Sequence, residues 1–288
     1  SIIEKNFCRK IILNEKNKIS YNFVSSKANF KKNIFFCSKL IMANLVDVII
    51  PNYNKEKYLL ECIDSVVNQI YPDWKIYLID DCSSDKSLDL LKNYDNLNKI
   101  KIISLNKNKG PAFCRNFGMR ISNAKYISFL DSDDFWKKDK LSKQINFMEK
   151  NKFKFTFTDF QPFFQNNNIK KYVDPTNLSK EFNFKKFINN SSINSSTMII
   201  ERSIVKFLKF KKLDLMEDYV FKCQILRSGL NAYKLGESLA SYRILIKSRS
   251  GNKLKNLIYL WSLNKKYNSL NFFQNLYSVF MISLNSLK

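Results

Sequence analysis

From Leu45 onward the apolar and polar residues of the chain follow two alternating periods, and the switches between them mark a succession of strands and helices. Leu45-Val-Asp-Val-Ile-Ile50 reads as a short apolar strand that Pro51 is expected to stop, with Asn52, Tyr53 and Asn54 supplying turn and helix-cap residues. Leu59, Ile63, Val66, Val67 and Ile70 then recur at helical spacing, and Pro72 closes the connection. Lys75 to Ile79 predicts a second strand running into Asp80 and Asp81, and Ser83-Ser84-Asp85 predicts the cap of a helix through Leu88 and Leu91. The third strand is Ile100 to Ile103. After it a loop from Asn106 to Gly110 leads to a helix that begins at Pro111 and carries Arg115 and Asn116. Lys125 to Leu130 is a fourth strand, and it breaks off into Asp131-Ser132-Asp133-Asp134.

Strand and helix thus repeat three times before the acidic cluster. Such alternation predicts an α/β fold with a mostly parallel sheet flanked by helices, and in such sheets ligands bind beyond the carboxyl ends of the strands. Asp81, the Gly110 loop and Asp131 to Asp134 all follow strands, so they are expected to converge on one edge. Farther on, a helix through Leu141, Ile145 and Met148 precedes a strand over Phe153 to Thr158. Residues 160 to 195 read as an Asn-rich, irregular excursion suited to acceptor binding, and Ser195 to Ile200 as another strand. Glu217 and Asp218 open a helix that Gly229 ends, and the residues from Lys253 to Lys288 are helical in pattern.

Composition changes this picture in a few places. A chain of 288 residues with 45% hydrophobic residues can bury a sizeable core. The formal charge of +24 points toward an anionic partner, but the basic residues are mostly Lys scattered through Asn-, Ile- and Phe-rich text, so nucleic acid is not expected. There is no histidine, and the cysteines at positions 8, 37, 62, 82, 114 and 223 form no Cys-x-x-Cys pair. This excludes a His-based triad and argues against structural zinc, while cysteines on apolar faces suit reduced thiols in the cytoplasm. No run of 18 or more apolar residues is available to span a membrane. Residues 1 to 41, ahead of Met42, carry no sustained period; they read as an extension, either upstream sequence or a basic arm on a membrane surface.

Two clusters carry candidate chemistry. Three carboxylates within Asp131 to Asp134 repel one another unless something positive sits among them, and hard oxygen donors suit Mg²⁺ or Mn²⁺ together with substrate phosphates. By itself the cluster is equally a turn followed by a helix cap. Glu217 and Asp218, at a helix start, are likewise readable as charges that complement the macrodipole.

The order of motifs narrows the choice. Val48-Ile-Ile-Pro-Asn-Tyr-Asn54, Leu78-Ile-Asp-Asp-Cys-Ser83, Gly110 through Arg115-Asn116, Phe129-Leu-Asp-Ser-Asp-Asp134 and Glu217-Asp218 together resemble the family-2 glycosyltransferases of the GT-A fold, closest to those that build bacterial lipopolysaccharide and capsule. The resemblance covers about residues 45 to 250. It implies a GT-A catalytic domain over residues 42 to 250, a helical tail over 251 to 288, and inverting transfer from a nucleotide sugar, UDP-linked, to a glycan or lipid-linked acceptor. It implies that Pro51, Tyr53, Asp81, Arg115, Asp131 and Ser132 surround the nucleotide sugar. In that assignment Tyr53 packs on the base, Asp81 accepts from a uracil ring, Arg115 lies near the nucleotide and Asp131 near the ribose. Asp133, with Asp131, is implied as the ligand of Mn²⁺ or Mg²⁺, and Asp218, or Glu217, as the catalytic base. Adjacent side chains at a helix start point about 100° apart, so one of that pair is expected to face the donor and the other to cap or pair outside.

Two positions depart from the family's pattern. Cys82 stands where relatives commonly have Gly, and no His follows Tyr242-Arg243; Lys247, Arg249 and Lys253 are the candidates to supply that charge, against a plain solvated loop. A nucleotidyltransferase on a similar sheet is the rival enzyme, but Pro51 to Asn54 is not its Gly-rich phosphate loop. A basic module for nucleic acid or anionic membranes is the rival binding protein, and every acidic motif residue is present, which argues against an inactive relative. No redox cofactor is implied. The basic, aromatic tail is expected to pack on the domain, bind a partner helix or, as favoured, hold the enzyme peripherally at the cytoplasmic face of the inner membrane.

Overall fold

The computed structural model describes residues 45–94, 97–166, 169–172, 179–245 and 253–285; the expectations for residues 1–41 and for the charges of Lys247, Arg249 and the Lys253 side chain lie outside what it describes. The described residues belong to one compact unit. Its first half is the predicted alternation: β1 (Val46–Asn52), α1 (Glu56–Val67), β2 (Trp74–Asp80), α2 (Ser87–Leu91), β3 (Ile100–Ser104), α3 (Pro111–Ile121) and β4 (Tyr126–Phe129). The strands lie in the order β3-β2-β1-β4 and all four are parallel. Every residue of β1 is buried, as a central parallel strand covered on both faces should be.

The period of two along β1 sorts its side chains between two cores. Val48 and Ile50 join Leu59, Ile63 and Val66 of α1 on one face, and Ile49 joins Phe129, Ala112 and Cys114 on the other. Asp47 is the exception within this strand. It is fully buried, yet its Oδ2 accepts hydrogen bonds from Ser122 Oγ at 2.7 Å and from the backbone N–H groups of Asn123 and Ala124, so it closes the turn between α3 and β4. Burial raises its pKa above the ordinary carboxylate value, and these bonds act against the rise.

The second half is β5 (Phe135–Trp136), α4 (Lys140–Asn151), β6 (Phe155–Asn166), β7 (Ile169–Tyr172), β8 (Glu181–Phe182), α5 (Phe184–Ile188), β9 (Ile199–Glu201), α6 (Arg202–Val205), α7 (Glu217–Arg227), β10 (Ala232–Ile244), α8 (Lys253–Tyr267) and α9 (Phe272–Asn285). It extends the sheet as β4-β9-β6-β10-β5, with β9 antiparallel to β4 and β6 parallel to β10.

Four expectations are corrected. Pro51 does not stop β1, because pairing with β4 has already ended at Ile49 and the strand continues against β2 to Asn52. Ile70 lies past the end of α1 and is 61% exposed. The excursion after residue 160 is more regular than its composition suggested: β6 runs on to Asn166 and pairs with β7. Ser195 to Thr197 is a 3₁₀ turn, so the strand there starts only at Ile199.

Gly118 sets how closely α3 approaches β1. A Cβ at that position would lie 2.5 Å from Ile49 Cγ2, a branch atom held close to the strand backbone. Gly118→Ala is therefore expected to destabilise the domain by about 1–3 kcal/mol, the usual cost of overpacking a core. Urea denaturation reads this directly, and an unchanged midpoint would show that the contact yields freely.

Candidate functional site

The carboxyl ends of β1, β2 and β4 open into one cavity of about 760 Å³, which the starts of α3 and α7 and the Tyr242–Arg243 stretch of β10 complete. Pro51, Tyr53, Asp81, Arg115, Asp131, Ser132, Asp133, Glu217 and Asp218 all line it, so the nine residues that the resemblance assigns to nucleotide sugar, metal and base share one space.

Adjacent acids at the end of β2 do different things. Asp80 is buried and structural: its carboxylate accepts from Asn52 Nδ2 at 2.7 Å, Ser83 Oγ at 2.6 Å and the Ser83 N–H, which pins the β1 and β2 ends together. Asp81 accepts from the backbone N–H groups of Lys109 and Gly110, each at 2.7 Å, and so fixes the loop before α3. Gly110 takes φ +85°, where a side chain would be strained, and Pro111 follows at the first helical position. Cys82 takes φ +64°, a left-handed conformation that glycine adopts more readily. Tyr53, 47% exposed, offers its ring at the cavity.

The acidic cluster separates in the same way. Asp134 is buried and faces inward, accepting from Ser196 Oγ at 2.6 Å and from the Arg243 N–H at 2.9 Å. Burial, with Asp133 and Asp131 beside it, pushes its carboxyl well above the ordinary range. Asp131 and Asp133 remain at the cavity, and each meets a cation there: Arg115 Nη2 lies 2.6 Å from Asp131, and Lys55 Nζ 2.6 Å from Asp133. The second nitrogen of Arg115 lies 3.0 Å from Glu217, with both side chains only 5% exposed. One buried guanidinium therefore ties the end of β4 to the start of α7, and these carboxylates hold it charged to still higher pH than usual.

Among the described residues no group of three or more His, Cys, Asp or Glu side chains could hold a metal ion without help. The donor set at the end of β4 instead fits the way Mg²⁺ is usually bound, by one or two carboxylates with substrate phosphates and water completing the shell. Asp131 and Asp133, whose side chains are 34% and 21% exposed, are the residues that would hold it.

Glu217 and Asp218 differ from what helix geometry suggested. Neither caps α7, since Met216 occupies the cap position without a side-chain hydrogen bond, and Glu217 pairs inward with Arg115 rather than outside. Asp218, 35% exposed, receives Lys222 Nζ on Oδ2 at 2.6 Å and Ser195 Oγ on the same oxygen at 3.2 Å. Burial opposes its charge, but Lys222 and Arg115 outweigh that and lower its pKa to about 2. Lys55, Lys222, Ser195 and Arg243 were not found from the sequence. Of these only Lys222 left a usable signal, as a polar residue one helical turn beyond Asp218 within an apolar pattern.

Residues 47–208 match the model of the family described as glycosyl transferase family 2. A Bacillus subtilis protein named for teichuronic acid biosynthesis, the glycosyltransferase TuaG, is 30% identical over 85% of this chain and 96% of its own length. The Escherichia coli UDP-Glc:alpha-D-GlcNAc-diphosphoundecaprenol beta-1,3-glucosyltransferase WfaP is 34% identical over 74% of this chain and 83% of its own length. Among solved structures, the mannosyltransferase PcManGT from Pyrobaculum calidifontis, in complex with GDP-Man and Mn²⁺, superposes with a TM-score of 0.63 at 12% identity, over 84% of this chain and 73% of that one.

Removing the guanidinium from between its acids tests the arrangement. Arg115→Met is expected to cost about 3 kcal/mol or more, because it leaves Glu217 buried without its cation. Chemical denaturation measures that cost, and a loss below about 1 kcal/mol would mean that the two carboxylates are held apart by something else.

Proposed function

This chain belongs to glycosyl transferase family 2 and has the GT-A architecture, and from that premise we propose that it is an inverting transferase that moves a sugar from a UDP-sugar to a hydroxyl of a lipid-linked or glycan acceptor in surface polysaccharide synthesis. The observation that carries this reading is the single cavity joining Tyr53 and Asp81 at one set of strand ends, Asp131 and Asp133 at another, and Asp218 at a helix start. Its relatives support the substrate class: WfaP carries UDP-Glc and a diphosphoundecaprenol in its name, and TuaG is named for teichuronic acid biosynthesis.

In this proposal the Tyr53 ring stacks on the base, an interaction that needs no particular base edge. Asp81 retains acceptor capacity beyond its two backbone bonds and takes a ring N–H of uracil, while Pro51 and Ser132 shape the walls. Asp131 lies toward the ribose, and Arg115 keeps it and Glu217 in place. A Mn²⁺ or Mg²⁺ held by Asp133 and Asp131 would neutralise charge developing on the diphosphate. Asp218 takes the proton of the acceptor hydroxyl as its oxygen bonds to the anomeric carbon; the bond from that carbon to the diphosphate breaks on the far side, UDP leaves with the electron pair, and configuration inverts.

Membrane contact belongs to the same proposal. No helix of the described residues is long and apolar enough to cross a bilayer. Helix α9, however, is turned against the usual polarity: Asn275 and Ser278 are buried, while Phe273, Leu276, Tyr277, Phe280 and Leu284 are exposed along one face. After Glu237 the sequence contains no acidic residue and eight basic ones. Apolar insertion from a basic stretch of chain suits an anionic lipid surface, where each Lys near the surface is worth about 1 kcal/mol.

A panel of sugar nucleotides with Mn²⁺ and with Mg²⁺ should identify a UDP-sugar that the protein turns over. With that donor, Asp218→Asn is expected to lower turnover by about 10² or more while UDP affinity is kept, and Glu217→Gln to cost less turnover. Asp133→Asn is expected to abolish the Mn²⁺ dependence of UDP binding in calorimetry with the fold intact; an Asp218→Asn variant of normal turnover, or Mn²⁺ dependence unchanged in Asp133→Asn, contradicts the assignments.

Vesicle co-sedimentation tests the tail. Deleting it is a poor probe, because Leu260 and Leu263 of α8 belong to the core. Paired substitution of the exposed Phe273 and Phe280 by Ser should instead release the protein from phosphatidylglycerol vesicles without lowering its melting temperature, and undiminished binding would refute the proposed face.

A further inference from the structure

Lys222 is a lysine with its side chain only 2% exposed, in a helix whose neighbouring positions Val220, Phe221, Ile225 and Leu226 belong to the core. A buried ammonium is costly unless it is paired and its hydrogens are used. Here one hydrogen goes to Asp218 Oδ2 at 2.6 Å and another to the Ile193 carbonyl at 2.5 Å. Ile193 lies just before Asn194 and Ser195, which line the cavity, and Ser195 Oγ donates to that same Oδ2. The ammonium thus joins the base's helix to a cavity-lining loop and occupies one chosen oxygen of the carboxylate.

We propose that Lys222 is the positioning residue of the base: it ties Asp218 Oδ2 to the Ile193 carbonyl and so fixes the carboxylate with Oδ1 as the oxygen that takes the acceptor's proton. This rests on the reading of Asp218 as base. The arrangement trades proton affinity for orientation, since a carboxylate paired this closely stays ionised and turned one way at every working pH. The other charged or titratable groups around Asp218 are Glu217 beside it on α7, Arg115 on α3 and Tyr242 on β10. Arg115 acts in the same direction as Lys222 but is already bound to Asp131 and Glu217, and Tyr242 is pushed up to about 12, where it stays neutral. Lys222 is the cation that touches Asp218.

The test uses the full chain with Lys222→Met, Lys222→Gln and Asp218→Asn, the UDP-sugar that the wild type turns over, and UDP binding as the check on folding. Lys222→Met is expected to lower kcat at pH 7 at least tenfold with KM for the donor and UDP affinity unchanged. Removing the cation raises the pKa of Asp218, so its ¹³C carboxyl signal should titrate in the ordinary range near 4, whereas in the wild type it stays ionised to about 2. The acid limb of kcat/KM should move up in pH with it. Should Lys222→Met fail to bind UDP, Lys222→Gln, which keeps a hydrogen-bond donor but no charge, is read by the same criteria. Wild-type kcat and an unshifted carboxyl titration in the folded variant, with Asp218→Asn inactive, would overturn the role of Lys222 alone. Normal turnover by Asp218→Asn would instead remove the reading on which it rests.

Discussion

Negative charge gathered at one edge of a sheet has to be held there, and in this protein the buried guanidinium of Arg115 does most of that holding. It lies between Asp131, at the end of β4, and Glu217, at the start of α7, two positions far apart in sequence. Lys55 does the same for Asp133, Lys222 for Asp218, and the backbone of Arg243 for Asp134. The carboxylates would repel one another without these partners, and the cavity exists because each acid has its own cation or hydrogen-bond donor. The large formal charge of +24 is mostly irrelevant to this, since a few well-placed cations perform the work.

The same economy divides each acidic cluster between structural and available groups. Asp80 and Asp134 are buried, hydrogen-bonded and away from the cavity lining; Asp81, buried as well, and Asp131 and Asp133 line the cavity. A metal-diphosphate site needs such a division, because rigid walls must present oxygens whose remaining lone pairs are still accessible.

The parallel half of the fold was legible in the sequence because its signals are local: β1 to β4 are short runs rich in apolar residues, β2 and β4 run out into Asp80 and Asp131, and helical apolar spacing resumes between them. The mixed half was less legible because its strands are set by distant partners. β6 continues through Gln161 and Pro162 only because β10 lies beside it, and no local pattern announces that pairing. The acids of the site were legible by position at strand ends. Their cations were less so, since Lys is so common here that Lys55 looks like background, and Lys222 is marked only by its place in an apolar helical pattern. The polarity of α9 was hidden too, because its apolar residues suit a packed helix equally well until the side facing the domain is known.

The measurement closest to the central claim is the anomeric configuration of the product made from the UDP-sugar that the protein turns over, read by the one-bond C1–H1 coupling in NMR. If Asp218 takes the acceptor's proton in a single displacement, the sugar is transferred with inversion. Retention of configuration would contradict that displacement and with it the assignment of Asp218 as the base.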